Sequence, residues 1–289
     1  MPIDAAVPLA GFRNGDLVFP VDDTGGSGRF DTPVVLLHGF PQTRASWRSI
    51  TPALSQRRYR VLAPDQRGYA PDARPSGRRS YALPHLVGDV VALLDTIEAE
   101  QVHLVGHDWG GAVAWAFAET HPERLRSVSV LSTPHPRAML RAALAGNQLA
   151  KSWYMFAFQP PVVPEAVLRS RRGTKLFRAA LSESGMPAGE VDAAVALMCS
   201  DAATGILNWY RAVPFGAAVS AHHITVPTLY VYGARDIALG RAAADLTARW
   251  MRGPYRYDVL PDAGHWLIDD APNHVTTALL DHFSATDHL

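Results

Sequence analysis

A carboxylate stands at the centre of a turn that could do nucleophilic chemistry. Asp108 follows an apolar stretch, Val102–Val105, and lies between Gly106 and Gly110. This spacing is typical of a strained strand-to-helix turn that exposes a nucleophile, usually a serine. A serine attacks acyl carbons, whereas a carboxylate has no proton to lose and suits attack on a saturated carbon with a strained or departing group. The sequence therefore favours epoxide opening or carbon–halogen cleavage over ester or peptide hydrolysis.

Two further ionisable residues follow predicted strands in the second half of the chain. Asp236 comes after the apolar stretch Thr228–Tyr232, and His265 comes after Arg256–Leu260. In an open α/β sheet, functional side chains gather at the carboxyl ends of the strands, so both residues would lie beside Asp108. Nucleophile, acid and base in this chain order predict a catalytic triad. The alternative is that Asp108 only caps the helix behind it.

A turn after the first buried parallel strand could supply the donors that such a triad needs. The apolar run at 33–37 is followed by His38, Gly39, Phe40 and Pro41. In triads of this chain order, the N–H of the residue after His-Gly helps to form the oxyanion hole, which assigns Phe40. The second donor is the N–H of Trp109. His38 and Pro41 are candidates for the substrate-binding wall, and the alternative is a turn in which Gly and Pro serve only its shape.

The elements that would position these residues alternate along the chain. Short apolar runs predict buried strands, and amphipathic patterns predict helices between them. The predicted strands are Pro33–Leu37, Tyr59–Ala63, Val102–Val105, Ser127–Leu131, Thr228–Tyr232 and Arg256–Leu260. The predicted helices are Pro84–Glu98, Gly111–Thr120 and one that begins near Pro272. This alternation predicts an α/β fold with a mostly parallel central sheet and helices on both faces, and Phe12–Val21 would add an antiparallel edge pair.

The alternation stops between residues 136 and 222. This segment is helical in pattern, rich in aromatic residues and poor in strand signals. We interpret it as a helical cap, or lid, inserted into a discontinuous core that consists of residues 1–135 and 223–289. The length of the cap sets the size of the pocket beneath it.

Composition narrows the class of partner. The chain has 289 residues, 48% of them hydrophobic, and its 27 Lys and Arg balance its 27 Asp and Glu. A net charge of zero gives no reason to expect a nucleic-acid partner. The single cysteine, Cys199, cannot form an intramolecular disulfide, and no segment resembles a signal peptide or a membrane span. We therefore expect a cytoplasmic protein, and the sequence leaves open whether it forms a homodimer.

The histidines outside these motifs carry no sign of a metal site. The chain has 12 His, and they lack the spacing of zinc ligands, so no metal is expected. Five of them have no motif and are expected to face solvent: His121, His135, His222, His223 and His274.

The chain resembles the epoxide hydrolases of the α/β-hydrolase fold in segments that span nearly its whole length. These segments are His38–Pro41, Asp65–Tyr69, Gly106–Gly111, Gly233–Asp236 and Gly264–His265. Most of them are shared with haloalkane and fluoroacetate dehalogenases, which also use an aspartate nucleophile. The resemblance therefore implies the fold and the type of nucleophile, and the cap must distinguish the substrates.

The resemblance also implies two tyrosines in the cap. In the family, their phenolic hydrogens bind the epoxide oxygen and protonate it as the ring opens, because an alkoxide is a poor leaving group at neutral pH. The segment at 152–159 matches the first at Tyr154, and the segment at 207–211 matches the second at Tyr210. Their neighbours Trp153 and Trp209 are candidates for substrate binding. The alternative is that these aromatic residues form the core of the cap.

Two dehalogenase alternatives are weaker at the same positions. Fluoroacetate dehalogenases hold the substrate carboxylate with arginines where this chain has Trp109 and Ala112. Haloalkane dehalogenases often have an asparagine at the position of Phe40. A haloalkane or haloacid dehalogenase with the same nucleophile stays an alternative. A non-catalytic ligand receptor is the alternative from another class, because a fold does not dictate function.

The resemblance implies a mechanism that uses side chains only. Asp108 would form an ester with a small apolar epoxide, and His265, oriented by Asp236, would activate the water that hydrolyses this ester to a vicinal diol. Nucleophile, base and acid are all side chains, so neither a metal nor an organic cofactor is expected.

Overall fold

A single sheet forms the centre of the described chain. The computed structural model describes residues 7–26, 32–145, 157–216 and 223–287, and in these ranges eight strands are joined in the order β1-β2-β4-β3-β5-β6-β7-β8. They are β1 (Gly11–Asn14), β2 (Leu17–Asp23), β3 (Val34–Leu37), β4 (Val61–Pro64), β5 (Val102–His107), β6 (Leu125–Leu131), β7 (Thr228–Gly233) and β8 (Tyr255–Leu260). The strands from β4 to β8 run parallel to one another, as predicted. The β1–β2 pair is antiparallel and confirms the predicted edge pair.

Helices cover this sheet and fill the connections. In chain order the described helices are α1 (Thr51–Gln56), α2 (Leu83–Thr96), α3 (Trp109–Thr120), α4 (Pro136–Ala145), α5 (Val163–Arg169), α6 (Arg171–Glu183), α7 (Ala188–Met198), α8 (Ala202–Ala212), α9 (Arg241–Leu246), α10 (Leu267–Asp270) and α11 (Pro272–Asp287). Between β6 and β7, the described residues form helices α4 to α8 and no strand. That run carries the elements on which a cap could be built.

The alternation of side chains along β3 explains why both faces need helices. Val35 and Leu37 join the apolar cluster that includes residues of α2 and α3. Val34 and Leu36 point to the opposite face and join residues of α1 and α11. Successive side chains of a strand face opposite sides, so a strand that is apolar at every position must be covered twice. Burying each such side chain stabilises the fold by about 1.5–3 kcal/mol.

His135 is buried, so the expectation that it faces solvent is wrong. Its ring stacks on Trp250 with the two ring centroids 5.5 Å apart. Its Nε2 lies 3.1 Å from a carboxylate oxygen of Glu119. Trp250 is far from His135 in sequence, so no local pattern could have indicated this packing.

The described ranges contain neither a membrane-spanning helix nor a metal site. None of the helices there combines the length and the apolar character needed to cross a membrane. The His, Cys, Asp and Glu side chains of the same ranges form no group of three that could hold a metal ion. Cys199, the single cysteine, is half-buried at the end of α7.

A buried polar cluster joins the end of α11 to residues near the amino-terminal ends of β4 and β5. His103 on β5 donates from Nε2 to Asp287, at 2.9 Å, and Tyr59 donates to the same carboxylate at 2.8 Å. Burial would raise the pKa of Asp287, but these two hydrogen bonds lower it overall. Burial lowers the pKa of His103, so the ring is neutral and its Nδ1 accepts from the Ser127 hydroxyl at 2.8 Å.

We expect Asp287→Asn to lower the free energy of unfolding by about 2–3 kcal/mol, because it weakens hydrogen bonds to a buried charged acceptor. Urea denaturation measures the change. The pKa of Asp287 is depressed below its ordinary value of 3.8, so its contribution is present above that pH and is lost as the pH falls through the folded-state pKa. The matched control is Asp281→Asn on the same helix, where an exposed carboxylate should change stability by less than about 0.5 kcal/mol. Equal effects of the two variants would contradict the assignment.

Candidate active site

The turn between β5 and α3 holds Asp108 in a conformation that only a tightly packed neighbourhood permits. Its φ of 50° and ψ of −116° lie in a strained region for a residue with a side chain. A Cβ added at Gly106 would lie 2.2 Å from the carbonyl oxygen of Gly110, which confirms the predicted need for small residues on both sides. The helix begins at Trp109 rather than at the predicted Gly111, because the turn leads directly into the first helical residue.

The Asp108 carboxylate does not cap the helix that follows it. Its side chain makes no capping hydrogen bond. Instead, Oδ1 accepts from the Phe40 N–H at 2.8 Å, and Oδ2 lies 3.4 Å from Nε2 of His265. Burial would raise the pKa of Asp108, but His265 and the Phe40 N–H lower it overall, so the carboxylate is ionised. With 20% of its side chain accessible, Asp108 can be reached by a small molecule.

His265 lies between two carboxylates, both of them predicted site residues. Its Nδ1 donates to Oδ2 of Asp236 at 2.8 Å, while Oδ1 of Asp236 accepts the N–H groups of Ala238 and Leu239, each at 2.8 Å. Burial would lower the pKa of His265, but the charges of Asp236 and Asp108 outweigh it and raise the pKa to about 10. The structure therefore brings Asp108, His265 and Asp236 together with the imidazole charged.

The main chain of His265 is fixed by donors that the sequence did not reveal. Its carbonyl oxygen accepts from Nε2 of His107 at 2.9 Å, from the Ser132 hydroxyl at 2.7 Å and from the Leu267 N–H at 3.0 Å. Burial, followed by the charge of His265, lowers the pKa of His107 to about 4, which keeps its ring neutral. His107 adjoins the nucleophile in sequence, but its ring serves the backbone of His265.

His38 is buried, and both of its ring nitrogens contact the backbone. Nε2 accepts from the Gln66 N–H at 3.1 Å, and Nδ1 lies 3.1 Å from the Gly39 carbonyl oxygen, to which it donates. Burial lowers the pKa of His38, consistent with this neutral form. The ring therefore braces the turn that presents the Phe40 N–H. Pro41 is also buried, after a cis peptide bond, in the same turn.

The turn His38–Pro41 lies very close to Asp108. A Cβ added at Gly39 would lie 2.4 Å from Cβ of Asp108, so only glycine fits there. The second predicted donor, the N–H of Trp109, belongs to the first turn of α3, where amides have no acceptor within the helix.

Helix α8 brings Tyr210 against the residues around the nucleophile. The Tyr210 ring is perpendicular to that of Trp109, with centroids 5.1 Å apart, and to that of Phe40, at 5.2 Å. Trp209 contacts Trp109 with its ring, at 5.6 Å, but its indole N–H donates to the Arg67 carbonyl oxygen at 2.7 Å. Trp209 thus ties α8 to the core, and its predicted contact with substrate stays a prediction. Tyr154 and Trp153 lie outside the described residues.

Further partly exposed aromatic rings lie near Phe40. The ring centroid of Phe158 lies 5.9 Å from that of Phe40, and the centroid of Phe177 on α6 lies 6.4 Å from it. Phe40, Trp109, Phe158 and Phe177 are all half-buried. Aromatic faces that are neither covered nor fully exposed suit an apolar ligand that displaces water from them.

Arg211, next to Tyr210, ties α8 to α5 and to the residues just before it. Its guanidinium pairs with both oxygens of buried Glu165, at 2.7 and 2.9 Å. It also donates to the carbonyl oxygens of Phe158, at 2.9 Å, and Pro160, at 2.8 Å. No sequence pattern indicates this cluster, because one arginine and one glutamate 46 residues apart form no recognisable local motif.

Comparison with known proteins places these residues in a family context. A family model described as alpha/beta hydrolase fold matches residues 32–272. Epoxide hydrolase A of Mycobacterium tuberculosis is 35% identical over 297 aligned positions, which cover 88% of this chain and 91% of that protein. AB hydrolase superfamily protein YfhM of Bacillus subtilis is 37% identical, with coverage of 89% and 92%. The crystal structure of Epoxide Hydrolase A from Mycobacterium thermoresistibile has 30% identity and a TM-score of 0.78, with coverage of 96% and 98%.

We expect Asp108→Asn to lower the pKa of His265 by about 1–3 units, because the variant removes one of two carboxylate charges beside the imidazolium. Nitrogen-15 NMR of the imidazole measures the titration. The raised folded-state pKa also means that the stabilisation is full below about pH 6.5 and is lost as the pH rises through about 10. Asp262→Asn, an exposed change that affects an ion pair with Arg235, is the control and should leave the pKa unchanged. An unaltered pKa in Asp108→Asn would contradict the coupling.

Proposed function

The chain belongs to the α/β-hydrolase-fold family and, within it, to the epoxide hydrolases, and we propose that it opens an apolar epoxide to a vicinal diol through an ester on Asp108. One observation carries the proposal. The ionised Asp108 carboxylate has one oxygen on the Phe40 N–H and the other facing His265, within reach of a small molecule. The half-buried aromatic rings around it suit the apolar part of such a substrate.

The first step is nucleophilic opening of the ring. Because the Phe40 N–H holds Oδ1 of Asp108, Oδ2 is the oxygen that attacks an epoxide carbon. The C–O bond of the epoxide breaks as the new C–O bond of the ester forms. The released oxygen takes the phenolic proton of Tyr210, with Tyr154 as the second donor by resemblance to the family. Such a proton donor is required because an unprotonated alkoxide leaves poorly.

The second step depends on the charge that the first step removes. Once Asp108 is an ester, its negative charge no longer supports the imidazolium, so the pKa of His265 falls and its Nε2 proton can return to the tyrosine phenolate. Neutral His265, oriented by Asp236, then takes a proton from water as the water adds to the ester carbonyl carbon. The bond between the carbonyl carbon and the diol oxygen then breaks, and the diol oxygen takes the proton of the newly added hydroxyl group. Asp108 is again a carboxylate beside protonated His265.

The carbonyl oxygen carries negative charge while water is added. We propose that two N–H groups bind this oxygen: that of Phe40, in the turn after β3, and that of Trp109, at the start of α3. Loss of one such donor typically costs about 3–4 kcal/mol of barrier.

The domain arrangement belongs to the same proposal. Residues 136–222 would form the cap and residues 1–135 and 223–289 the core, which is supported by the helical run between β6 and β7. A cytoplasmic location is also proposed, on the ground that the chain has a single cysteine.

We expect His265→Gln to trap the ester, because the base for the second step is lost while the nucleophile is retained. Intact-protein mass spectrometry after incubation with styrene oxide should give an increase equal to the mass of the epoxide. Asp108→Ala should give neither the adduct nor diol. Absence of any adduct in His265→Gln, with diol formation intact in the wild type, would contradict an ester intermediate.

We expect Tyr210→Phe to lower kcat/KM for epoxides by about 10²-fold, because one proton donor to the departing oxygen is lost. Diol and free halide are measured in parallel with styrene oxide, an aliphatic epoxide, a bromoalkane and fluoroacetate. Tyr257→Phe, on β8, removes a hydroxyl that contacts Asp245 and serves as the control. Halide release that survives Tyr210→Phe, without any diol, would favour the dehalogenase alternative. Binding without turnover of any compound would favour a receptor.

A further inference from the structure

Trp266 connects the cap helices to the proposed base. We propose that it is a positioning residue through which the docked cap holds the His265 ring during hydrolysis of the ester. This inference rests on the proposed function, since it assigns Trp266 to the second of its two steps.

The indole of Trp266 is embedded among residues of the cap segment. The buried cluster that contains it otherwise consists of Leu181, Met186, Val191, Ala194 and Val195. Its N–H donates to the Ser184 hydroxyl at 2.9 Å, and that hydroxyl donates to the Leu181 carbonyl oxygen at 2.6 Å. The indole is therefore fixed by the end of α6 and by α7, although its main chain belongs to the core.

The main chain of Trp266 is held separately, beside the candidate site. Its carbonyl oxygen accepts the N–H groups of Asp269, at 2.8 Å, and Asp270, at 2.7 Å, both within α10. One residue thus has its backbone anchored in the core and its side chain anchored in the cap segment.

The same indole contacts the imidazole of His265. The two rings are perpendicular, at 89°, with centroids 4.9 Å apart. His107 contacts the imidazole as well, with centroids 5.2 Å apart. Movement of the imidazole is therefore limited by one ring from the core and by one ring whose position the cap segment sets.

This contact matters most after the ester has formed. In the resting site, His265 is held by attraction to two carboxylates, with Nε2 3.4 Å from Asp108 and Nδ1 2.8 Å from Asp236. Esterification removes the charge of Asp108, so the attraction that orients the Nε2 end is lost when this atom must face the attacking water. Asp236 still holds Nδ1, and the Trp266 ring limits rotation about that bond. Trp266 therefore acts on hydrolysis and has little effect on ring opening.

The test measures the two steps separately, by rapid quench and intact-protein mass spectrometry with excess enzyme and styrene oxide. For Trp266→Leu we expect the rate of ester formation to stay within about threefold of the wild type, and the rate of ester hydrolysis to fall by about tenfold or more. Ester should accumulate as a result. Trp266→Phe retains a flat ring and should restore most of the hydrolysis rate.

Glu190→Gln is the matched control. Glu190 on α7 pairs with Arg48 of the core and so attaches the same cap helix without contacting His265. We expect it to leave the ratio of the two rates unchanged. If Trp266→Leu does not fold, Ser184→Ala takes its place and should lower hydrolysis selectively. This variant removes the acceptor of the indole N–H together with the hydrogen bond to the Leu181 carbonyl oxygen.

Failure of the proposed function and failure of this inference give different results. If the wild type forms no ester, the proposed function fails and this inference fails with it. If ester forms, but both rates fall together in the Trp266 variants or Glu190→Gln changes the ratio equally, Trp266 only stabilises the fold and the inference alone is wrong.

Discussion

The negative charge of Asp108 and the positive charge of His265 stabilise each other in a site with little solvent, and the rest of the site depends on this interaction. A buried charge is costly unless it is paired and hydrogen-bonded. Asp108 has the Phe40 N–H as well as His265, and His265 has Asp236 as well as Asp108. Each charge therefore favours the charged form of the other. Conversion of Asp108 to a neutral ester would therefore lower the pKa of His265.

The sheet places the three residues with little freedom. Each follows the carboxyl end of a parallel strand: β5 for Asp108, β7 for Asp236 and β8 for His265. Two neutral histidines also hold the backbone of the site in place. His38 accepts the Gln66 N–H beside the turn of Phe40, and His107 donates to the carbonyl oxygen of His265. Burial keeps both rings uncharged, so they add hydrogen bonds to the site without competing for its charge. The segment between β6 and β7 adds Phe158, Phe177 and Tyr210 to the aromatic rings near the nucleophile. Its Ser184 accepts the indole N–H of Trp266, whose ring contacts His265.

Sequence patterns predicted the part of this arrangement that is local. Buried parallel strands are short apolar runs, and a nucleophile turn requires small residues at fixed positions, so β5 and Asp108 are recognisable without a structure. Contacts between distant segments leave no such pattern. The hydrogen bond of Trp209 to Arg67 spans 142 residues, and the pairing of Trp266 with Ser184 spans 82. Buried His135 was misjudged for the same reason, because a histidine outside a motif looks like any solvated one.

The most direct test of the account is a single turnover in water enriched in oxygen-18, with enzyme in excess over an apolar epoxide. If Asp108 forms the ester and water attacks its carbonyl carbon, the heavy oxygen enters the Asp108 carboxylate and the first diol released is unlabelled. Mass spectrometry of the peptide that contains Asp108 and of the diol gives both results. A labelled diol together with an unlabelled Asp108 would mean that water opens the epoxide directly, and would contradict the central role assigned to this carboxylate.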